Sequence, residues 1–251
     1  MISQNLVKRL REAHKIVVMT GAGVSAESGV PTFRDAQTGL WAKYDPTELA
    51  SPEAFARQPK LVWDWYKWRY GLVTAVSPNP AHYALAEMAH LVPHFTLITQ
   101  NIDNLHQIAG SEGVIELHGN IRRTKCSAKG HIFPGWPDDT AVQPPLCAVC
   151  GSPMRPDVVW FGESLPRHEL EAATTATLQA DVFFSVGTSS QVYPAAALTV
   201  EAIKKGATVI EINPHPTPLT PHVTFSLAAP AGEVLPQLLA EVWERAAVAT
   251  A

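Results

Sequence analysis

Residues 20–35 read TGAGVSAESGVPTFRD, and this stretch is the most informative part of the chain about its fold. It follows an apolar run, Ile16 to Met19, that is typical of a buried parallel strand. Gly21, Gly23 and Ala26 fit the G-x-G-x-x-G/A spacing, in which a tight turn brings bare backbone to a pyrophosphate and a helix N-terminus faces its charge. The pattern predicts a dinucleotide-binding turn.

The residues after this turn differ from those of a dinucleotide dehydrogenase. In that class a helix and a second strand lead to an acidic residue about 20 residues later. Here Gly29-Val30-Pro31 ends the helix within roughly two turns, and a polar loop follows. We therefore expect a loop to complete the cofactor site, and a dehydrogenase is disfavoured.

The length and composition of the chain limit the classes of protein to which it can belong. The chain has 251 residues, 46% of them apolar and 17% charged, which suits one large domain or a domain with a smaller insertion. The net charge of -4 gives no general attraction to nucleic acid or to anionic membranes. No apolar run approaches the length of a membrane span, and basic residues interrupt the N-terminal region where a signal peptide is continuously apolar.

We therefore expect a cytoplasmic protein with no nucleic-acid or membrane partner. Three cysteines is an odd number, and two of them form Cys147-x-x-Cys150, which favours a metal site or reduced thiols over a disulfide framework. The sequence leaves the oligomeric state undefined, and a monomer is the working expectation.

Alternation of strands and helices predicts an α/β fold, with a Rossmann-like parallel sheet and helices on both of its faces. Predicted strands cover 16–20, 95–99, 114–117, 158–161, 181–186 and 207–212. Predicted helices cover 3–14, 80–90, 194–205 and 233–247. The main domain is predicted to comprise 1–37, 79–120 and 156–251. A helical module rich in tryptophan and proline (38–78) and a module with all three cysteines (121–155) form a smaller domain.

Four polar loops follow predicted strands. In an open α/β sheet, ligands bind beyond the carboxyl ends of the strands. Any one such loop is ordinary, but four together predict a binding crevice. The loops are Gly21–Ser25, Gln100–Asp103, Gly187–Ser189 and Asn213-Pro214.

Several further blocks occur in the order of a known family. They are TQNIDNLH at 99–106, LHG at 117–119, PDVVWFGE at 156–163, GTS at 187–189 and EINP at 211–214. With residues 21–35 they resemble the sirtuins, the NAD-dependent protein deacylases, over about residues 15–235. The resemblance implies NAD as the cofactor and acylated-lysine proteins as substrates. It also implies release of nicotinamide and transfer of the acyl group to ADP-ribose.

The resemblance assigns residues to the cofactor. The adenosine half is implied to contact Asn213 and Ala231, and the nicotinamide end to contact Phe33 and Arg34. The full set implied for NAD binding is Gly21, Ala22, Gly23, Ser25, Ala26, Phe33, Arg34, Trp41, Gln100, Asn101, Ile102, Asp103, Gly187, Thr188, Ser189, Asn213, Pro214 and Ala231.

His118 is the predicted general base. A histidine accepts a proton near neutral pH, and this one follows a strand end and precedes a glycine, which leaves room for a substrate. Only the L-H-G context, which matches the sirtuin catalytic histidine, separates it from the nine other histidines. Asn101 is the second implied catalytic residue. His106, at the end of the Q-N-I-D block, is expected to be structural.

Residues 158–163 resemble the substrate-binding strand of the family, to which an acyl-lysine peptide adds as a further strand. The implied substrate-binding residues there are Val159, Phe161, Gly162 and Glu163. The alternative is a buried strand with no contact to substrate.

Tyr66 and Arg69 indicate the acyl group. At positions i and i+3 of a helix they share a face, and an arginine fork beside a phenol suits a carboxylate. The pair resembles the Y-x-x-R of class III sirtuins, which remove succinyl and malonyl groups, and Ala50 matches their small residue at the pocket floor. The alternative is an exposed arginine on a packing helix. Acetyl removal can coexist with the acidic-acyl activity.

A structural zinc is implied for the cysteine-containing module, which would then be zinc-ribbon-like. Sirtuins usually carry C-x-x-C twice and hold zinc with four thiolates. Here Cys147 and Cys150 form one pair, but Cys126 is followed by Lys129 where the second cysteine belongs, and lysine is a poor ligand. Either His131 completes a site of three cysteines and one histidine, or the module holds without zinc.

Two other functions stay open. An ADP-ribosyltransferase on the same scaffold would leave ADP-ribose on a protein side chain. A non-catalytic NAD-sensing or zinc-ribbon interaction module would bind without turnover. The intact Q-N-I-D and L-H-G blocks count against this second alternative.

Overall fold

A computed structural model describes residues 2–31, 44–137 and 142–244 of the chain. Six parallel strands form its main sheet, in the order β3-β2-β1-β7-β8-β9. Their bounds are β1 Lys15–Thr20, β2 His94–Thr99, β3 Ile115–Glu116, β7 Val182–Val186, β8 Thr208–Ile212 and β9 Phe225–Leu227.

A second sheet has three antiparallel strands in the order β5-β4-β6. Its strands are β4 Gly119–Cys126, β5 Ile132–Pro134 and β6 Met154–Val158. Because β4 begins three residues after β3 ends, the two sheets meet directly at Leu117 and His118.

The α-helices connect and cover these sheets. They are α1 Gln4–Glu12, α2 Gly23–Ala26, α3 Pro46–Leu49, α4 Pro52–Arg57, α5 Pro59–Thr74, α6 Pro80–Leu91, α7 Leu105–Ile108, α8 Arg167–Gln179, α9 Ala196–Lys204 and α10 Ala231–Trp243. Within the described residues, no helix has both the length and the apolar character needed to cross a membrane.

Helices cover both faces of the parallel sheet because alternate strand residues point to opposite sides. On one face Ile16 and Val18 pack in a core with residues of α1, α6 and α10. On the other face Val17 and Met19 pack with residues of α8 and α9. Every residue of β7 and β8 is buried, as expected for strands covered on both sides. The predicted α/β fold class is confirmed.

The helical module and the small sheet share a core. Phe55 and Trp65 of the helical module pack with Ile121 of the cysteine-containing module. Val158 and Trp160, which follow that module in sequence, belong to the same core. Burial of such large apolar side chains stabilises the contact by about 1.5–3 kcal/mol each. The two predicted insertions are therefore packed against each other.

A second contact joins the same two modules through the cysteines. Trp63 of α5 is buried with Cys126, Cys147 and Met154. Its ring centroid lies 4.6 Å from that of Trp136. Helix α5 thus contacts the cysteine-containing module through Trp63, one turn before Tyr66.

The predicted strand over residues 158–161 of the main sheet is wrong. The strand here is β6, which ends at Val158 and pairs antiparallel with β4. Beyond Val158 the chain turns toward the helical module, where Trp160 is buried and the Phe161 N–H donates to the Ala50 carbonyl at 2.9 Å. Gly162 follows with a φ of +86°. The apolar residues 158–161 therefore lead into a turn in which Trp160 is buried.

Other elements differ in extent from the prediction. Residues 120–155 show little periodicity in sequence, yet β4 and β5 lie there. Helix α10 begins at Ala231 and ends at Trp243, where Glu244 takes up a left-handed conformation; the predicted continuation over 245–247 lies outside the described residues. Strand β9 was not predicted, because three residues are too few to show a period.

Candidate active site at the carboxyl ends of the parallel strands

The glycine turn after β1 packs against the loop after β7. The Gly21 N–H donates to the Val186 carbonyl at 2.9 Å, and the Gly23 N–H donates to the Gly187 carbonyl at 2.8 Å. A Cβ atom on Gly21 or on Gly23 would lie 2.9 Å or 2.8 Å from that Gly187 oxygen. Both glycines are therefore required by the contact between two loops, in addition to any approach of a pyrophosphate.

The loop after β2 joins the same turn. The Asn101 side-chain amide donates to the Gly21 carbonyl and to the Ser25 hydroxyl, each at 3.1 Å. Gln100 donates through its side chain to the Thr188 hydroxyl at 3.1 Å. These bonds bring three of the four predicted loops into one polar crevice.

The loop after β8 completes the group. The Asn213 side-chain amide donates to the Thr188 carbonyl at 3.0 Å. Ala231, buried at the first residue of α10, lies beside Gly232, whose N–H donates to the Glu27 carboxylate at 2.7 Å. The N-terminus of α10 is thus held against the end of the glycine turn. Of the predicted cofactor residues, Phe33, Arg34 and Trp41 lie outside the described residues.

His118 faces this crevice from the junction of the two sheets. Its Nδ1 lies 2.8 Å from the backbone carbonyl oxygen of Gln100. A carbonyl only accepts hydrogen bonds, so Nδ1 carries the proton and Nε2 of the neutral ring is the free base. Burial lowers the pKa of His118, and the hydrogen bond to Gln100 offsets this only in part. The ring is therefore neutral at pH 7 and able to accept a proton.

A buried polar network lies behind the glycine turn. The Ser25 hydroxyl donates to the Asp103 carboxylate at 2.8 Å, and His82 Nε2 lies 3.3 Å from the same hydroxyl. Burial raises the pKa of Asp103 and lowers that of His82 to about 4. His82 was not predicted as part of the site, since nothing in the Asn-Pro-Ala-His sequence at the start of α6 distinguishes it from a surface histidine.

His106 is buried, consistent with its predicted structural role. Its Nε2 lies 2.9 Å from the Thr20 hydroxyl, and its ring centroid is 4.8 Å from that of His82. Burial lowers the pKa of His106 to about 3, and the neighbouring His82 adds to this effect. The two rings are therefore neutral and fill the space between β1, α6 and α7.

The predicted acyl pocket lies on α5. Tyr66 is buried, and its ring centroid lies 4.6 Å from Trp65 and 6.3 Å from Trp160. Burial raises the pKa of Tyr66 to about 12, so the phenol keeps its proton. Ala50 belongs to the same core at the end of α3.

Arg69 is half-buried one turn further along α5. Its guanidinium carbon lies 5.1 Å from the Trp65 ring centroid, a cation–π contact. Burial lowers the pKa of Arg69, and the nearby Tyr66 opposes that shift. An arginine guanidinium is so strongly basic that the group stays charged. The structure thus places one cation beside a neutral phenol on this helix.

The predicted substrate segment lies directly beside His118. The Val159 N–H donates to the His118 carbonyl at 2.9 Å. Phe161 exposes 47% of its surface while Trp160 before it exposes 2%. The Glu163 carboxylate is occupied by Arg155, which sequence reasoning missed. Burial raises the pKa of Glu163, but the bonds from Arg155 and from the Trp160 N–H outweigh it, so this pKa is lowered overall.

The three cysteines and His131 form one cluster. The four ligand atoms of Cys126, His131, Cys147 and Cys150 all lie within 4.8 Å of one another. Cys126 Sγ is 3.3 Å from Cys150 Sγ, and Cys147 Sγ is 3.6 Å from His131 Nδ1. Lys129 contributes only its N–H, which donates to Cys126 Sγ at 3.4 Å. Three thiolates and one imidazole in this arrangement fit a tetrahedral zinc ion, and His131 would then be the fourth ligand.

Comparisons with known proteins agree with this fold and site. A family model described as the Sir2 family matches residues 21–194. An NAD-dependent protein deacylase of Methylococcus capsulatus is 51% identical over 244 residues, covering 94% of this chain and 96% of the relative. One of Thermus thermophilus is 50% identical over 236 residues, covering 92% of each chain.

Solved structures of the same kind superimpose on the chain. A Sir2 homologue in complex with NAD has a TM-score of 0.92 at 46% identity, covering 97% of this chain and 95% of the other. A Sir2 protein with a p53 peptide and NAD+ has a TM-score of 0.86 at 30% identity, covering 98% of this chain and 100% of the other. The fold and the crevice define a Rossmann-like nucleotide-binding protein with a small second domain. More particularly, the chain belongs to the Sir2 family, and the predicted family is confirmed.

Proposed function

We propose that this chain is an NAD-dependent protein-lysine deacylase. The observation that carries the proposal is the position of His118, whose ring faces the four-loop crevice while its backbone carbonyl binds the Val159 N–H. The proposed base thus lies between a crevice suited to a dinucleotide and a segment suited to a peptide. The names of the relatives from Methylococcus and Thermus support the same activity.

The NAD assignment rests on the crevice. The Gly21–Ser25 turn and Thr188 supply backbone and hydroxyl groups for the diphosphate, and Asn213 lies next to Thr188 for the adenosine ribose. Gln100 and Asn101 border the position of His118 and would orient the nicotinamide ribose. These roles support NAD because each group lies at the carboxyl end of a parallel strand.

The proposed chemistry needs little from the protein beyond orientation and one base. When bound, NAD would supply the ribose carbon that is bonded to nicotinamide, with the acyl oxygen as the incoming group and nicotinamide as the leaving group. His118 Nε2 would accept the proton of a ribose hydroxyl and so enable that oxygen to attack the acyl carbon. Asn101, held by Gly21 and Ser25, fixes the loop that orients this ribose. The acyl C–N bond would then break to release the lysine amine, and one water would be consumed, so the overall products would be nicotinamide, free lysine and O-acyl-ADP-ribose.

The acyl group is proposed to be acidic. A charged guanidinium beside a protonated, buried phenol suits succinyl or malonyl carboxylates. Acetyl-lysine lacks the carboxylate that Arg69 would bind. The Arg69→Met variant should lower kcat/KM for succinyl-lysine peptide about 100-fold and leave the acetyl value within about threefold.

This specificity is tested on one peptide carrying either acyl group, with Lys67→Met as the control that removes a charge from an exposed position of the same helix. Equal loss on both acyl groups would contradict a carboxylate-binding role for Arg69. Acetyl turnover alone in the wild-type protein would exclude the acidic-acyl assignment and keep the deacylase.

The reaction itself is tested with NAD labelled in its adenylate phosphate. Deacylation leaves all the label in soluble ADP-ribose products. Label bound to a protein side chain would instead indicate ADP-ribosyl transfer, and NAD binding without any product would indicate a sensor.

We also propose the domain division given above, with residues 38–78 and 121–155 forming the small domain.

A further inference from the structure

Arg155 makes a dense set of contacts with the segment that follows it. One terminal nitrogen donates to Glu163 Oε1 at 2.6 Å. The other donates to Glu163 Oε2 at 2.8 Å and to the Val158 carbonyl at 2.9 Å. Its guanidinium carbon lies 3.2 Å from the Trp160 ring centroid. A single buried side chain thus contacts residues at the start, the middle and the end of 158–163.

The Glu163 carboxylate closes the same turn from the other side. Its Oε2 also accepts from the Trp160 N–H at 2.8 Å, and the Glu163 N–H donates to the Trp160 carbonyl at 3.0 Å. Gly162 lies between them in a left-handed conformation, at a φ of +86°. The segment is a turn built around one ion pair, with bidentate geometry that a lysine cannot reproduce.

The turn leaves two of its side chains more exposed than the tryptophan between them. Val159 is half-buried and Phe161 is exposed, while Trp160 between them is buried under Arg155. The Val159 N–H reaches His118, and the Phe161 N–H reaches Ala50 in the proposed acyl pocket. Moving this turn would therefore move both side chains relative to the base and the pocket.

We propose that Arg155 is a positioning residue for peptide binding, acting through Glu163 and Trp160. The inference rests on the proposed deacylase function, since it assumes that residues 158–163 contact the peptide. Arg155 itself touches neither the crevice residues after β1 nor those after β7 through any of the contacts above. Its loss should weaken peptide binding and leave NAD binding unchanged.

The test compares Arg155→Met, Arg155→Lys and Arg167→Met in the full-length protein. Arg167 is the matched control because it pairs with Glu171 on the exposed face of α8, with 90% of its side chain exposed. We expect KM for an acyl-lysine nonapeptide to rise about tenfold in Arg155→Met, less in Arg155→Lys and not at all in Arg167→Met. KM for NAD should stay within about twofold in all three.

Two further readouts separate positioning from general damage. An acyl-lysine tripeptide, with little backbone to pair with the segment, should show a smaller rise in KM than the nonapeptide. Anisotropy of a labelled nonapeptide measures binding without turnover, so it tests Arg155 even if the wild-type protein proves inactive as a deacylase. If Arg155→Met does not fold, Arg155→Lys decides the question.

Unchanged nonapeptide affinity in a folded Arg155→Met or Arg155→Lys protein would overturn the inference. Parallel increases in KM for peptide and for NAD would overturn it as well, because they would indicate a loss of overall structure.

Discussion

His118 Nδ1 lies 2.8 Å from the carbonyl oxygen of Gln100, a residue of the loop after β2. This one hydrogen bond fixes the tautomer of the ring and ties the proposed base to the proposed cofactor loop. The backbone of His118 is held independently by the Val159 N–H. The ring is therefore positioned from both sheets, and its Nε2 is left to accept a proton.

The pH dependence of turnover follows from this environment. The base works when neutral, and burial lowers the pKa of His118 below the usual value of about 6.5. Activity should stay level above that value and fall only as the pH drops through the lowered pKa. The measurement is kcat/KM for acyl peptide from pH 5 to 8, and an acid limb centred above pH 6.5 would contradict the assignment.

The stability of the protein should also depend on pH, through His82 and His106. In the folded protein the pKa is about 4 for His82 and about 3 for His106, below the value of about 6.5 in the unfolded chain. At pH values between the folded and the unfolded pKa, the unfolded chain therefore binds more protons than the folded protein. Stability is full above about pH 6.5 and falls as the pH drops toward 4, by on the order of 3 kcal/mol from each ring. Burial raises the pKa of Asp103, so the contribution of this carboxyl group to the free energy of unfolding increases as the pH falls.

Replacing His106 tests this linkage. Urea denaturation at pH 4.5 and 7.5 gives the difference in the free energy of unfolding. His106→Asn should reduce that difference, whereas His90→Asn, at an exposed position of α6, should leave it unchanged. An identical pH dependence in wild type and His106→Asn would show that the ring is not titrating as described.

Gly119, the residue after His118, should not tolerate a side chain. Its φ is +78°, and a Cβ atom there would lie 2.2 Å from the Asp157 carbonyl oxygen. We expect Gly119→Ala to lower the free energy of unfolding by about 3 kcal/mol or more, from overpacking and a strained conformation. Gly71→Ala is the control, because that glycine lies in α5 with open space around it and should be neutral or stabilising. Similar midpoints in urea for the two variants would contradict this account.

The Cys126, His131, Cys147 and Cys150 cluster should bind one zinc ion per chain. His131→Ala should lower the zinc content measured by elemental mass spectrometry and lower Tm by several degrees, because bound metal stabilises the fold. His168→Ala is the control, since 92% of that side chain is exposed. Full zinc occupancy in His131→Ala with unchanged Tm would show that the fourth ligand lies elsewhere.

Much of the fold could be predicted because its signals are local. The apolar strands, the glycine turn and Pro80 at the start of α6 each lie within a few residues, and the strand–helix alternation then fixes the parallel sheet. The residues after the strand ends could be placed at one sheet edge for the same reason. This is why Gln100, Asn101 and Thr188 were predicted together and lie together.

The parts that were missed depend on contacts distant in sequence. His82 reaches Ser25 across 57 positions, and the Phe161 N–H reaches the Ala50 carbonyl across 111 positions. An apolar run such as 158–161 looks like a core strand until its partner is known. The pairing of Arg155 with Glu163 is close in sequence, but nothing in the spacing shows that the chain turns between them.

The most direct test of the proposed function is NAD-dependent conversion of an acyl-lysine peptide by the wild-type protein and by His118→Ala. Mass spectrometry should show nicotinamide and free lysine formed in equal amounts, with the acyl group on ADP-ribose. The variant should bind NAD with near-normal affinity in calorimetry and lose turnover about 1,000-fold. Near-normal rates in His118→Ala would contradict the account of the site, and no conversion by a wild-type protein that binds NAD would contradict the function.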